Sequence, residues 1–378
     1  MPHSLFEVFF KNRGEFKNLE LTLKRIKTAA ESYGIGDNIA KNIIHIAGTN
    51  GKGSTSYFID QILRHRGLST GLFTSPHISS VTERIKLNGA DISGEEFDRI
   101  FSIIEPSILI NSLSYFETLT LIAFYYYMEN QPDAVIIETG LGGRFDSTNI
   151  LDRKIPVITS ISMDHMEYLG NDIISIANEK LAIIKNNPLF FLGANTKEVS
   201  DHARKEFADR RIIQADYSET THRGFQPPYA DNLRLAEAVC DHIIKGSVPD
   251  TLKLPPCRME RFGRFVLDGA HNEDGLNRLM ANYKDKKPIV IFSCTRDRDA
   301  HKHINIIKQA ASEVILTQIP DNERSIDVND LITDAHKRAD VWDAVKLAVE
   351  LKQNTDILVC GSLYLCAAVR EILVKGSL

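Results

Sequence analysis

Short apolar runs alternate along the chain with stretches in which apolar residues return at helical spacing. The runs Ile43–Ala47, Ala134–Ile137 and Pro156–Ile161 halt abruptly at polar or glycine-rich segments, GTNGKGS, ETGLGG and SMDH. A strand covered on both faces reads as a continuous apolar run, so these are expected to be central strands of a parallel sheet with helices between them. The stretch KLPPCR at Lys253–Arg258 fits neither period, and its two prolines mark a linker. Beyond it come four further strand candidates, Arg264–Leu267, Pro288–Ser293, Glu313–Gln318 and Asp356–Cys360. The pattern predicts an α/β protein with a large domain over residues 1–252, a linker over 253–261, a smaller domain over 262–378, and a cleft between them. Ligands in open α/β sheets bind beyond the carboxyl ends of the strands, so the post-strand segments are where chemistry is sought.

The sharpest local signal runs from Ile43 to Leu63. A strand leads into Gly48-Thr49-Asn50-Gly51-Lys52-Gly53-Ser54-Thr55, then into a helix with apolar positions at Tyr57, Phe58, Ile62 and Leu63. Glycines let successive backbone N–H groups turn inward around a phosphate, and the helix N-terminus adds a favourable dipole. Lys52 supplies charge to the β- and γ-phosphates, and Ser54 or Thr55 a hydroxyl in the first helical turn. The spacing departs from G-x-x-x-x-G-K-[ST] by the insertion of Gly53. The segment is read as an ATP loop.

Other positions are less decisive taken singly. Glu138 follows the strand AVII and is placed to be an oxygen ligand for Mg²⁺ on the ATP phosphates. His165, beyond VITSIS, reads equally as a metal ligand or as a local hydrogen bonder, and Asp164 as a loop cap. Ser75 is a ligand or a turn residue before Pro76. Lys180, on a helix expected over Asp172–Lys185, falls in phase with Ile173 and Ile176 on the apolar face. It either snorkels to the edge or is held in the interior. Asn232, in ADNLRLAEAV, also reads as a helix N-cap.

The segment HIAGTNGKGST resembles the nucleotide loop of the folylpolyglutamate synthase/dihydrofolate synthase family, within the ATP-dependent Mur-type amide ligases. Further matches follow in the family's order: TSPHI, ERIKLNG, FETLTLIAFYYY, ETGLGGRFDSTN, TSISMDHMEYLG, IANEKLAIIK, LDGAHNEDG and CGSLYL, together covering roughly residues 40–370. The resemblance implies a P-loop-containing, mainly parallel ATPase domain followed by a Rossmann-like C-terminal α/β domain. It implies ATP and Mg²⁺ as cofactors, with two ions. Ser75, Glu138 and His165 match the metal ligands, and Lys180 matches a carbamylated lysine that holds the second ion. Asn232, Arg258 and Asp268 match ATP contacts, and Phe116, Glu117 and Thr118 the pterin-contacting segment. Arg144 lies in the glycine-rich loop, and His271 positions the acyl phosphate or orders its own turn. The activity implied is glutamate addition to dihydropteroate or reduced folate through an acyl phosphate, with Lys52, Lys180 and His271 in catalytic roles. One departure stands out: the family's Pro-Gly-Arg is Pro256-Cys257-Arg258 here, which is expected to stiffen the hinge.

Composition narrows the alternatives. Among 378 residues, 50 acids against 45 bases give a net charge of −5, the wrong sign for nucleic acid or an anionic membrane. The five cysteines include no C-x-x-C pair, and MPHSLFEVFFKN lacks a secretory pattern, so a cytoplasmic protein, monomeric, is expected. A peptidoglycan-type Mur ligase carries an extra N-terminal domain, for which the 47 residues before Gly48, with one helical stretch near Leu19–Ala30, are too few. A nucleotide-regulated switch protein would need neither Lys180 on an apolar helix face nor the DGAHN turn.

Overall fold

Central strands form where the unbroken apolar runs fall. The computed structural model describes residues 5–10, 22–215, 220–320, 322–351 and 354–376, and the chain divides into two units, Met1–Lys253 and Leu254–Leu378. The first holds β1 (Asn42–Ala47), β2 (Thr70–Phe73), β3 (Ile85–Leu87), β4 (Ala90–Asp91), β5 (Ala134–Glu138), β6 (Ile155–Ile158), β7 (Leu189–Leu192) and β8 (Arg211–Gln214). They make one sheet in the order β4-β3-β2-β5-β1-β6-β7-β8. All neighbours are parallel except β3 and β4, which form an antiparallel edge. β1 is central, with Ile46 in register with Glu138 and Ala47 with Ile158. The phosphate loop, the Glu138 turn and the loop after β6 therefore leave the same edge of the sheet side by side.

The third run was expected to stay extended to Ile161, but β6 ends at Ile158. The reason is local: Ser160 O accepts the Thr49 N–H at 2.7 Å, and the Thr159 hydroxyl donates to Asn50 O at 2.8 Å. Those residues leave the sheet to brace the phosphate loop. The helix Lys52–His65 buries Phe58, Ile59, Ile62 and Leu63 and packs along the helix Tyr229–Ile243. Each such side chain is worth about 1.5–3 kcal/mol relative to exposure. The helix expected over Asp172–Lys185 spans Ile173–Leu181, with Asp172 as its cap. The expected N-terminal helix begins at Lys24 and ends at Ser32; residues 19–21 lie outside the described residues.

The second unit holds β9 (Glu260–Phe262), β10 (Phe265–Leu267), β11 (Ile289–Phe292), β12 (Glu313–Leu316), β13 (His336–Lys337) and β14 (Ile357–Cys360). Their order is β13-β12-β11-β14-β10-β9, parallel except for β9 against β10. Glu260 and Arg261, assigned to the linker on its prolines, instead pair with Leu267 and Val266; the prolines at 255 and 256 end their influence before a strand that starts four residues later. A core of its own, including Leu276, Phe292, Leu316 and Leu358, supports this sheet.

Candidate active site

The phosphate loop is held by its own backbone conformation and by the loop after β6. Gly48 and Gly51 have φ of 155° and 87°, and a Cβ on either would collide, with Thr159 Oγ1 at 1.8 Å and Asn232 Oδ1 at 2.4 Å. Thr49 Oγ1 donates to Ser162 O and accepts from Ser162 N, both at 3.0 Å. Asn50 bridges to Ser160. Lys52 opens the helix, and its Nζ donates back to Gly48 O at 3.1 Å and Thr49 O at 3.4 Å. The loop thus pre-orients a cation and the first-turn N–H groups toward one point, the arrangement that binds an anion. Ser54 and Thr55 are buried in the first turn, and the Thr55 hydroxyl has no partner among the described residues. Asn232 is not a helix cap, because Pro228 occupies that place; its amide lies against Gly51.

Gly53, the extra residue in the motif, faces Glu138: a Cβ there would lie 3.5 Å from Glu138 Oε2. Glu138 is 5% exposed at the end of β5, and its Oε2 accepts the Ser75 N–H at 3.1 Å. Ser75 and Glu138 are therefore neighbours at the mouth of the loop. His165 adopts φ of 48° ahead of the short helix Met166–Leu169, with its ring partly exposed. Asp164 Oδ1 accepts the N–H of its neighbour His165 at 2.9 Å. Lys180 does not snorkel. It is 3% exposed and donates to Gly48 O at 3.0 Å. Burial, with the Lys52 charge second, pushes its amine down to about 7. Among the described residues no three His, Cys, Asp or Glu side chains gather into a cation cage. One buried carboxylate beside a phosphate loop suits Mg²⁺, which is held through few protein oxygens and the substrate's phosphates.

The first turn of the helix Tyr115–Asn130 divides its three candidates. Phe116 lies against the turn after β5, where a Cβ on Gly140 would be 2.6 Å from its Cζ. Glu117 is committed elsewhere: it closes a capping box with Ser114 and pairs with Arg25 at 2.9 Å. Thr118 is fully buried, its hydroxyl donating to Ser114 O. Arg144 is half-exposed and pairs with Glu179 at 2.8 Å. In the second unit, Asp268 is buried after β10 and accepts from Met259 N and Ala270 N at 3.1 and 3.0 Å. His271 Nδ1 lies 3.0 Å from Gly269 O, within its own turn. Arg258 lies against Gly269, where a Cβ would meet its Nη1 at 2.3 Å. Cys257, in place of the family's glycine, has φ of 58°; a non-glycine residue in that left-handed region costs about 1–2 kcal/mol.

Sequence reasoning missed Thr159, Ser160 and Ser162 as braces, since polar residues ending an apolar run carry no sign that they will turn back onto a loop. It missed His45, Asp146 and Thr148 for a similar reason: their importance is visible only once β1 and the β5 turn are side by side.

The Mur ligase middle domain matches residues 46–236, and the Mur ligase glutamate ligase domain matches residues 257–363. The chain belongs to the Mur ligase family and is an ATP-dependent carboxylate–amine ligase. Its relatives are more specific. It is 31% identical to the dihydrofolate synthase/folylpolyglutamate synthase of Bacillus subtilis, over 86% of this chain and 89% of that one. Its fold matches the Mycobacterium tuberculosis folylpolyglutamate synthase complexed with ADP, with a TM-score of 0.87 and 25% identity over 97% of each chain. It also matches the bifunctional folylpolyglutamate synthase/dihydrofolate synthase of Yersinia pestis complexed with AMPPNP and Mn ion, with a TM-score of 0.85 and 26% identity over 99% of this chain and 98% of that one. Within the family it groups with these folylpolyglutamate synthases/dihydrofolate synthases. Among the described residues no helix is long and apolar enough to cross a membrane.

Proposed function

We propose that this enzyme uses ATP and a divalent metal to add L-glutamate to dihydropteroate, to the glutamyl tail of reduced folate, or to both, through an acyl phosphate. The observation that carries this reading is the convergence of Lys52, Glu138 and Lys180 on one glycine loop. The nucleotide and manganese ion of the Yersinia pestis neighbour support it.

A carboxylate resists amines because its charge repels them and its leaving group would be oxide. Transfer of the γ-phosphoryl group to a carboxylate oxygen gives ADP and an acyl phosphate, and the glutamate amine then attacks the carbonyl. The tetrahedral adduct collapses to an amide, inorganic phosphate leaves, and the amine proton passes to solvent or base. Lys52 offsets charge on the transferring group, and the loop N–H groups and Asn232 hold the nucleotide. Arg258 and Asp268 are proposed as nucleotide contacts, and His271 as the group that keeps the DGAHN turn in shape. Phe116 forms an apolar wall for the acid, with Glu117, Thr118 and Arg144 supporting the walls around it.

Ser75, Glu138 and His165 would hold Mg²⁺, which supplies charge neutralisation at the phosphates when bound. Lys180 is suited to become a carbamate, because only a neutral amine adds CO₂ and its environment keeps it neutral above about pH 7. That modification replaces a cation with oxygen donors for a second ion. The enzyme is proposed to work as a monomer in the cytoplasm, where five buried, unpaired cysteines are at home. Purified protein offered ATP, Mg²⁺ and glutamate with dihydropteroate or tetrahydrofolate should yield product masses raised by glutamyl units for at least one acid. ATP hydrolysis indifferent to both acid and glutamate would overturn the reading.

A further inference from the structure

A buried polar chain beneath the turn after β5 has no part in the chemistry above. Asp146 is 6% exposed. Its Oδ2 accepts the N–H groups of Gly140 and Leu141 at 2.8 and 2.9 Å, and its Oδ1 accepts the Thr148 N–H at 3.0 Å and the Thr148 hydroxyl. That hydroxyl has one proton and spends it on the carboxylate, so its oxygen accepts from His45 Nε2, 2.7 Å away. The tautomer of His45 follows: Nε2 carries the proton, and Nδ1 is a bare lone pair with no partner among the described residues. The ring is 1% exposed. Burial keeps it neutral, and the Lys185 ammonium acts in the same direction.

An orphaned buried acceptor is destabilising, a penalty that a leucine at this position would avoid. What histidine gains in exchange is one bond, to Thr148. The two ends of the chain of bonds are informative. His45 sits on β1, three residues before Gly48, in register with Ile137. The far end holds the Gly140–Leu141 turn, which lies against Phe116.

We propose that His45 and Thr148 are positioning residues for the acceptor acid, fixing the Gly140–Leu141 turn through Asp146 and tying it to the strand that carries the phosphate loop. The proposal rests on the reading of Phe116 and this turn as the acid's wall. Misplacement of a reacting group by about 1 Å can cost about 10²-fold, so a rigid tie between the nucleotide strand and the acid's wall has catalytic value.

The test compares Thr148→Val and His45→Leu, which break the chain, with Thr148→Ser and His45→Gln, which keep a hydroxyl and an N–H at similar reach. For each variant, KM for the acid, kcat, the ADP Kd and Tm are measured on the full chain. The breaking variants should raise the acid's KM by about tenfold or more with the ADP Kd within about twofold, and the conservative pair should recover most of the loss. The double variant should be no worse than Thr148→Val alone, since both cut one chain. A folded Thr148→Val with an unchanged acid KM would overturn the proposal, as would acid KM, ADP Kd and Tm worsening in parallel without rescue by Thr148→Ser. Phe116→Ala separates this from the parent reading. An unchanged acid KM in Phe116→Ala removes the acceptor wall itself, whereas a raised KM there beside an unchanged one in Thr148→Val removes the positioning role alone.

Discussion

Two buried lysines show how the interior of the first unit sets protonation state. Lys180 lies against the phosphate loop with its amine depressed to about 7. Replacing it by alanine should lower activity by at least about 10²-fold, with partial recovery when bicarbonate or a short carboxylic acid is added; full activity in the variant would remove its role. Lys154 is 6% exposed, its Nζ donating to Asn149 Oδ1 at 2.5 Å. Burial, then repulsion from Lys185, takes it down to about 6 from its ordinary 10.5. Between those values the unfolded chain holds a proton that the native chain does not, so the penalty on folding grows as pH falls from about 10.5 to about 6 and is constant below. The stability of the wild-type protein relative to Lys154→Met should therefore rise with pH across that window, by up to about 1.4 kcal/mol per pH unit. Denaturant titrations between about pH 6.5 and about pH 9 check this; a pH-independent difference would mean that Lys154 keeps its charge. Lys180 was visible in the sequence as a residue in phase with an apolar stripe, but the choice between interior and edge required the Gly48 carbonyl opposite it. Lys154 gave no such sign, because a lysine at the start of a strand is ordinarily solvated.

At the scale of the element, the phosphate loop needs glycine at Gly51 and has room for a side chain at Gly53. Gly51 combines φ of 87° with an Asn232 oxygen where a Cβ would stand, so Gly51→Ala should weaken ADP binding by about tenfold or more, measured by calorimetry. Gly53 has ordinary clearance, 3.5 Å to Glu138, so Gly53→Ala should leave ADP binding nearly intact. Equal losses in the two variants would show that general helix disruption, not loop geometry, is responsible. Elements of this kind were legible because their signals are local: a strand run, glycines, a lysine and a helix stripe occupy 21 consecutive residues. The short edges β3 and β4, and β9 beside the prolines, were not named as strands. Two or three residues carry too little periodicity, and their pairing is decided by partners distant in sequence. The Glu117 capping box and the Thr118 intrahelical bond were not legible either, because in sequence they look identical to polar residues facing a ligand.

At the scale of the molecule, each unit carries a parallel sheet whose strand ends gather the polar residues. In the first these are the phosphate loop, Glu138 and the 159–165 loop; in the second they are Asp268 and the DGAHN turn. The division into two α/β units was readable from the proline-marked break, since no apolar run crosses it, while substrate choice was not, because the wall proposed for the acid brings Phe116 against a turn remote in sequence. The central claim is that a carboxylate oxygen of the acid receives the terminal phosphoryl group of ATP before nitrogen attacks. It is tested most directly with an acceptor acid labelled with ¹⁸O in its reacting carboxylate, turned over with ATP, Mg²⁺ and glutamate, and followed by mass spectrometry of the released phosphate. One labelled oxygen in each phosphate, formed in step with the amide product, is the predicted result; unlabelled phosphate beside a normal yield of amide would contradict it.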